Sequence, residues 1–437
     1  MSWLDFFQTT QTLKHTFGRG INANISSHEE ELFLASLEAF EKQEILKAYE
    51  LFFESLINYT NEKANDNITY QKTDDVLNFT IYQGCAKVTG SITKEHLKAE
   101  VIIIKKEIAS VALKRYILER NYQLTYAYYF TDDKFIKLKL YQDNITMSPQ
   151  KIFFPLREIA LNADYDKEYI MSEFSDISIE DISHVSKLDT QESKIKYDFL
   201  QEWIEKAKAK IILLPSNDNA SMQAFIFLHL LFKIDYLLVP KYMVAQKLSK
   251  SILNYFAQDI TNIEFKNEEI KEYIDELQKI SFEEFEKNFY NANYTFNPTE
   301  KSSYDDIINF INESLTKIRW YKNNRYNQII PTIYKYIAFY TLYNYGLNPV
   351  LRELIHILVE VQNPEFFEKL EYKPLYDINI KTFSKKIILS KIDTIIANYQ
   401  NRYKSLENFT QELNFSSLNE FSNSFYLQIQ NLNFEEI

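Results

Sequence analysis

The sequence predicts an α+β fold: a small antiparallel sheet with flanking helices, followed by an all-α half. Three observations carry this. Apolar residues recur with period two only between about residues 67 and 141, they recur at helical spacing before and after those runs, and no convincing strand alternation occurs from Lys194 onward. A chain of 437 residues has room for two or three domains. We divide it into a helical extension (1–36), an α+β domain (37–174), a linker (175–193) and an all-helical domain (194–437).

From Glu29 to Tyr59, Leu32, Leu37, Phe40, Ile45, Tyr49, Phe52, Phe53 and Leu56 recur at helical spacing, which predicts two helices, with Ser26 or Ser27 as the cap. Leu77, Phe79 and Ile81 then alternate with polar residues, as do Ala86, Val88 and Ile92, and Ala99–Lys105 reads as a more central strand. These are strands with one wet face. Ile108–Arg120 returns to helical spacing, and a second hairpin at Leu124–Phe130 and Phe135–Tyr141 turns through Asp132-Asp133. Pro155 is expected to break a helix begun at Ser148-Pro149, which puts the main helix at Pro155–Phe174. An acidic, weakly periodic stretch, Ser175–Ser193, is the linker. Beyond it we expect helices at 194–213, 218–238, 241–258, 266–292, 303–322, 326–345, 348–361, 382–402 and 405–433, forming an irregular bundle or helical-hairpin array rather than a 34-residue repeat array.

The stretch Ala112-Leu113-Lys114-Arg115-Tyr116-Ile117-Leu118-Glu119-Arg120-Asn121-Tyr122, with the Tyr126–Phe130 and Ile136–Leu140 strands, the Asp132-Asp133 turn and Leu156-Arg157-Glu158-Ile159-Ala160, resembles the YbjN family. That family is similar in fold to the chaperones of type III secretion. The resemblance spans roughly residues 37–174. It implies a module that binds other proteins, often as a dimer, and it carries over no catalytic residue. The long C-terminal half has no counterpart in the short secretion chaperones.

Composition narrows the chemistry. Lys plus Arg number 49 against 61 Asp plus Glu, and the net charge of −12 argues against nucleic acid as a partner. Only 5 Gly are present, where average usage gives about 30, so loops that wrap phosphate or dinucleotide cofactors have little to work with. Gly84 and Gly90 lack the P-loop spacing, and Gly18-Arg19-Gly20 reads as a turn. The six His are scattered, and a lone His229 or His356 in an apolar helix reads as a core residue. The single Cys85 allows no intrachain disulfide and reads as a small, half-buried side chain in a protein of the reducing cytoplasm. Met1-Ser2-Trp3-Leu4-Asp5 shows no secretory signal, and Ala224–Val239, interrupted by Lys233 and Asp235, reads as a buried helix and not a membrane span. We therefore expect no catalytic residue, no metal and no cofactor.

Two places stand out as binding candidates. One is Ile318–Tyr345, where Arg319, Trp320, Arg325 and Tyr326 precede a tyrosine-rich helix, residue types enriched at hot spots and suited to a carboxylate or phosphate. Against it stands a core stripe of Ile330, Ile333, Ile337 and Tyr340. The other is Tyr126 and Tyr128 on the second hairpin. The expectation is an adaptor or chaperone-like bacterial protein that takes a partner polypeptide, by strand addition at a sheet edge. The alternative is a sensor holding a small anion near Arg319, Trp320 and Arg325.

Overall fold

Two short helices, α1 (Ser27–Glu41) and α2 (Ile45–Glu54), pack Phe40, Tyr49, Phe52 and Phe53 into a shared aromatic cluster. In this computed structural model, residues 15–18, 27–57, 66–174, 176–215, 219–258, 260–292, 296 and 302–436 are described. The expected cap at Ser26 lies outside them, as do Arg19 and Gly20. The boundary drawn at residue 36 cuts through α1, whose C-terminal turn buries Ala39 and Phe40 with α2. Residues 15–18 form no helix and belong to the opposite half. Gly18 N–H donates to the Tyr236 carbonyl (2.7 Å), and the Phe17 ring packs on His356, Phe366, Phe367 and Tyr372.

The sheet comprises β1 (Ile68–Lys72), β2 (Leu77–Gln83), β3 (Ala86–Ile92) and β4 (His96–Lys105), then, after α3 (Val111–Asn121), β5 (Ala127–Thr131) and β6 (Phe135–Asp143). Its order is β1-β2-β3-β4-β6-β5, antiparallel throughout. Alternation sends Leu77, Phe79, Ile81, Val88, Ile92, Leu97, Val101, Leu138 and Leu140 to one face. A bulge between Ile102 and Ile104 lets both Ile103 and Ile104 be buried. Gly90 lies opposite Phe79, whose ring would sit 2.3 Å from a Cβ there, so the missing side chain makes room for the aromatic one.

α4 (Pro149–Glu173) lies across the buried face, burying Ile152, Leu156, Ile159, Ala160, Ala163 and Ile170. It begins at Pro149, capped by the Ser148 hydroxyl, and runs through Pro155 without ending there. An interior proline costs about 3 kcal/mol in a helix, and the buried stripe on either side of Pro155 offsets it. β1 escaped the sequence reading because only Ile68 of its five residues is buried.

Residues 176–187 are pinned down. Ile179 is buried in the sheet's core, Glu180 N–H donates to the Ile103 carbonyl (3.0 Å), and β7 (Ser186–Lys187) is paired. The helical half begins at α5 (Thr190–Ile212), capped by Asp189, inside the expected linker. α6 (Asn219–Leu238), α7 (Tyr242–Phe256) and α8 (Ile263–Gln278) follow. The single helix expected over 266–292 is two, because Ser281 caps a separate α9 (Phe282–Asn288) that leads into β8 (Tyr290–Asn291), the partner of β7. Next come α10 (Tyr304–Asn323), α11 (Ile330–Asn344), α12 (Pro349–Gln362) and α13 (Pro364–Lys369). β9 (Tyr376–Asp377) pairs with β10 (Thr382–Phe383), and α14 (Lys385–Tyr399) and α15 (Leu418–Ile429) complete the chain. The C-terminal half is thus not purely helical. Its ladders are two residues long, too short to show a period. α15 replaces the longer helix expected over 405–433, with Ser417 setting its start.

Buried apolar residues form two clusters, one drawn from residues 39–179 with Phe296 and one from residues 199–432. α6 is the one helix among the described residues long and apolar enough to cross a membrane, and it is mostly buried in the second cluster.

Candidate functional site

The strand register assembles a second face on the sheet from side chains pointing away from α4. Lys98 lies opposite Tyr141, Glu100 opposite Lys139 and then Tyr128, and Ile102 opposite Lys137 and then Phe130. On β1 to β3 the same rows continue as Gln71, Asn78 and Ser91, and as Thr69, Thr80 and Thr89. The face therefore has a hydroxyl- and amide-bearing side and an aromatic, cationic side. Tyr128 and Tyr141 are 44% and 45% exposed, and Tyr126, just ahead of β5, is 44% exposed.

Charge on the aromatic side is unbalanced. Lys137 is held by Glu100 (2.8 Å) and Asp132 (3.1 Å). Lys139 lies over the Phe130 ring (5.0 Å from its centroid) and Lys98 over Tyr141 (5.8 Å), and no ion pair neutralises either among the described residues. Cations over aromatic faces at a wet surface are stabilised by about 0.5–1 kcal/mol each, and their charge stays available to a partner. Asp132 instead holds the turn, accepting from the N–H groups of Lys134 (2.8 Å) and Phe135 (2.7 Å), which lower its carboxyl to about 2.

Strand addition at β5 is closed off. The outward N–H of Ala127 donates to Glu158 (2.8 Å) and that of Tyr129 to Asn121 (2.6 Å), while Glu158 also accepts from Thr125 and Tyr126. Side chains here occupy the backbone donors that a new strand needs.

At the other end of α4 a polar cluster ties the two halves together. Asp164 accepts from Cys85 N–H (2.7 Å), and Glu168 accepts from Tyr290 OH (2.6 Å) and Tyr242 N–H (3.1 Å) of the helical half. Gly84 adopts φ +50°, and a Cβ there would fall 2.2 Å from Asp164 Oδ2. Lys167 Nζ donates to the carbonyl of Glu180 (2.8 Å), and His184 Nε2 sits 3.2 Å from that of Gly84. Cys85 is buried, and burial, then the charge of Asp164, pushes its thiol well above the ordinary range. Burial, then Asp164, raises Glu168 to about 7. Sequence reading missed this cluster. Its one signal was the Asp164, Glu168 pair one helical turn apart.

The other candidates sit at the end of α10. Trp320 is 48% exposed and stacks with Tyr326 (6.2 Å), Arg319 Nη2 donates to Thr316 (2.9 Å), and Arg325 is exposed in the turn, at φ 65°. The tyrosine-rich α11 beyond them is core: Ile330, Ile333, Tyr334, Tyr336 and Ile337 are buried, and Tyr340 stacks on Phe310. Among the described residues no group of three His, Cys, Asp or Glu side chains converges as metal ligands would. No protein-family model matches the chain, and no curated protein matches it at a significant level.

Proposed function

We propose that this chain is a non-enzymatic, cytoplasmic adaptor whose α+β module, akin to the YbjN and secretion-chaperone modules it resembles, binds an acidic, aromatic-containing segment of a partner polypeptide. The observation that supports this is the open sheet face, where Lys98 and Lys139 carry un-neutralised charge beside Tyr126, Tyr128, Phe130 and Tyr141. Aromatic rings supply contact area with few rotors to freeze, and the lysines select negative charge and speed encounter. A single-stranded nucleic acid meets the same rings and lysines, but the −12 net charge of the whole chain repels a long polyanion.

Fluorescence anisotropy with a labelled ten-residue Glu/Tyr peptide tests the reading on the full-length protein. Saturable binding that weakens with salt, and falls about tenfold or more in Lys98→Glu/Lys139→Glu, is expected. Equal binding by the charge-reversed protein, or tighter binding of oligo-dT than of the peptide, refutes it. Affinity purification from native cells then identifies the partner as the chain retained by wild type and lost by that variant. A second copy of this chain recovered in that way makes the face a homodimer contact.

A further inference from the structure

The helical half holds a cationic cluster that the adaptor reading does not use. Lys233 interrupts the most apolar helix, α6, and is only 8% exposed. Its Nζ lies 3.7 Å from the centroid of Trp203 on α5, and no ion pair reaches it among the described residues. Asp235, two residues on, is on the other side of α6 near Tyr273. Lys206 and Lys210 follow Trp203 on α5 at i+3 and i+7, on the face that meets Lys233, and their charges, with that of Lys335 on α11, reach it. His229, one turn before it, feels the same charges. The carboxylates in range are Glu202 and Glu365, and both pair with Lys206 (Glu365 at 3.6 Å). His229 Nε2 and, one turn before Lys335, Thr332 Oγ1 are buried without a partner.

An unpaired buried ammonium costs several kcal/mol, and placing others beside it adds repulsion. Such an arrangement is adverse for the empty protein. It is what a compact, multiply charged anion requires, because ammonium groups act as point charges toward phosphate. We infer that Lys233 and Lys335, where α6 packs against α5 and α11, form a binding site for a small phosphate-bearing anion, with Lys206 and Lys210 at its exposed rim and Trp203 as an apolar wall. Burial and the neighbouring lysines hold Lys233 well below the ordinary ammonium range and lower Lys335 to about 8. A bound anion reverses the repulsive part, so binding draws protons from solution near that pH.

Titration calorimetry of the full chain with pyrophosphate, run near pH 8 in Tris and again in HEPES, reads both events. Saturable heat is expected, together with a buffer-dependent difference that reports proton uptake. Lys233→Met should weaken binding about tenfold or more while leaving the far-UV circular dichroism intact, and Lys335→Gln provides a second variant if the first fails to fold. ATP binding tighter than pyrophosphate assigns the phosphate to a nucleotide, and ATP binding equal or weaker assigns it to a free phosphate anion. No heat at millimolar pyrophosphate, binding unchanged by both variants, or citrate binding more tightly than pyrophosphate overturns the assignment.

Discussion

Replacing Asp166 with alanine tests the energetics of the α+β module at its most concentrated point. The carboxylate is fully buried on α4, and its Oδ1 accepts from Tyr116 OH (2.5 Å) and Arg120 Nε (2.8 Å), its Oδ2 from Tyr129 OH (2.5 Å). Truncation leaves the Arg120 guanidinium, whose side chain is only 11% exposed, with the side-chain oxygens of Asn162 and Gln123 and no anion. Removing one partner of a buried ion pair costs about 3–5 kcal/mol. Two hydroxyls that lose a charged acceptor add to this, but the four groups form one network and their losses do not sum. The expected total is about 4–5 kcal/mol.

With a urea m-value of about 2 kcal/mol/M, that loss lowers the module's unfolding midpoint by about 2 M. The two apolar clusters allow the module to be followed separately. Trp203 and Trp320 both lie in the helical half, and Trp3 lies outside the described residues. In a Trp3→Phe background tryptophan fluorescence therefore follows the helical half, whereas far-UV circular dichroism sees both. Asp166→Ala should produce an early dichroism phase about 2 M lower, with the fluorescence midpoint moved by less than about 0.5 M. A joint shift of both probes, or no shift in either, would refute the account of a network confined to one of two separable cores.

Three further outcomes follow from the same geometry. Gly84→Ala forces a Cβ onto Asp164 and a side chain into φ +50°, which should destabilise by about 3 kcal/mol through the lost Cys85 N–H bond and the backbone penalty. In a double-mutant cycle with Asp164→Ala, the combined thermal shift should be smaller than the sum, and additivity would show the two residues to be uncoupled. Glu168, raised to about 7 by burial and then by Asp164, holds a proton that the unfolded chain releases above about 4.5. Its stabilising contribution is thus complete below that pH and is lost as pH rises through about 7, so Glu168→Gln should flatten the fall in urea midpoint between pH 5.5 and 8; an unchanged slope refutes the assignment. Glu158→Ala combined with Asn121→Ala frees the N–H groups of Thr125, Tyr126, Ala127 and Tyr129, and light scattering should detect salt-insensitive self-association through the exposed β5 edge, where the wild type shows none.

Local pattern made much of the architecture legible. Leu77, Phe79 and Ile81 alternate because one side of their strand meets α4 and the other meets water, and that asymmetry is written residue by residue. Pro155 misled the reading because its penalty is local while the compensation, a buried stripe of Ile152, Leu156 and Ile159, is tertiary. The candidate surface was half visible. Tyr126 and Tyr128 stood out by type, but their neighbours Lys98, Lys139 and Tyr141 come from strands joined only by register.

What the sequence by itself determined is the class of the fold, α+β with a mostly helical C-terminal half, together with the turn at Asp132 and the helix start at Ser148, because these depend on spacing and on bonds that span three or four residues. Tertiary structure alone decided which edge of the sheet is blocked, which carboxylates of α4 face the helical half, and which lysines gather around Trp203. Those outcomes depend on distances between residues up to about a hundred and thirty positions apart, from Lys206 to Lys335, and on burial, which changes the electrostatic value of a charge that one-dimensional spacing counts the same everywhere.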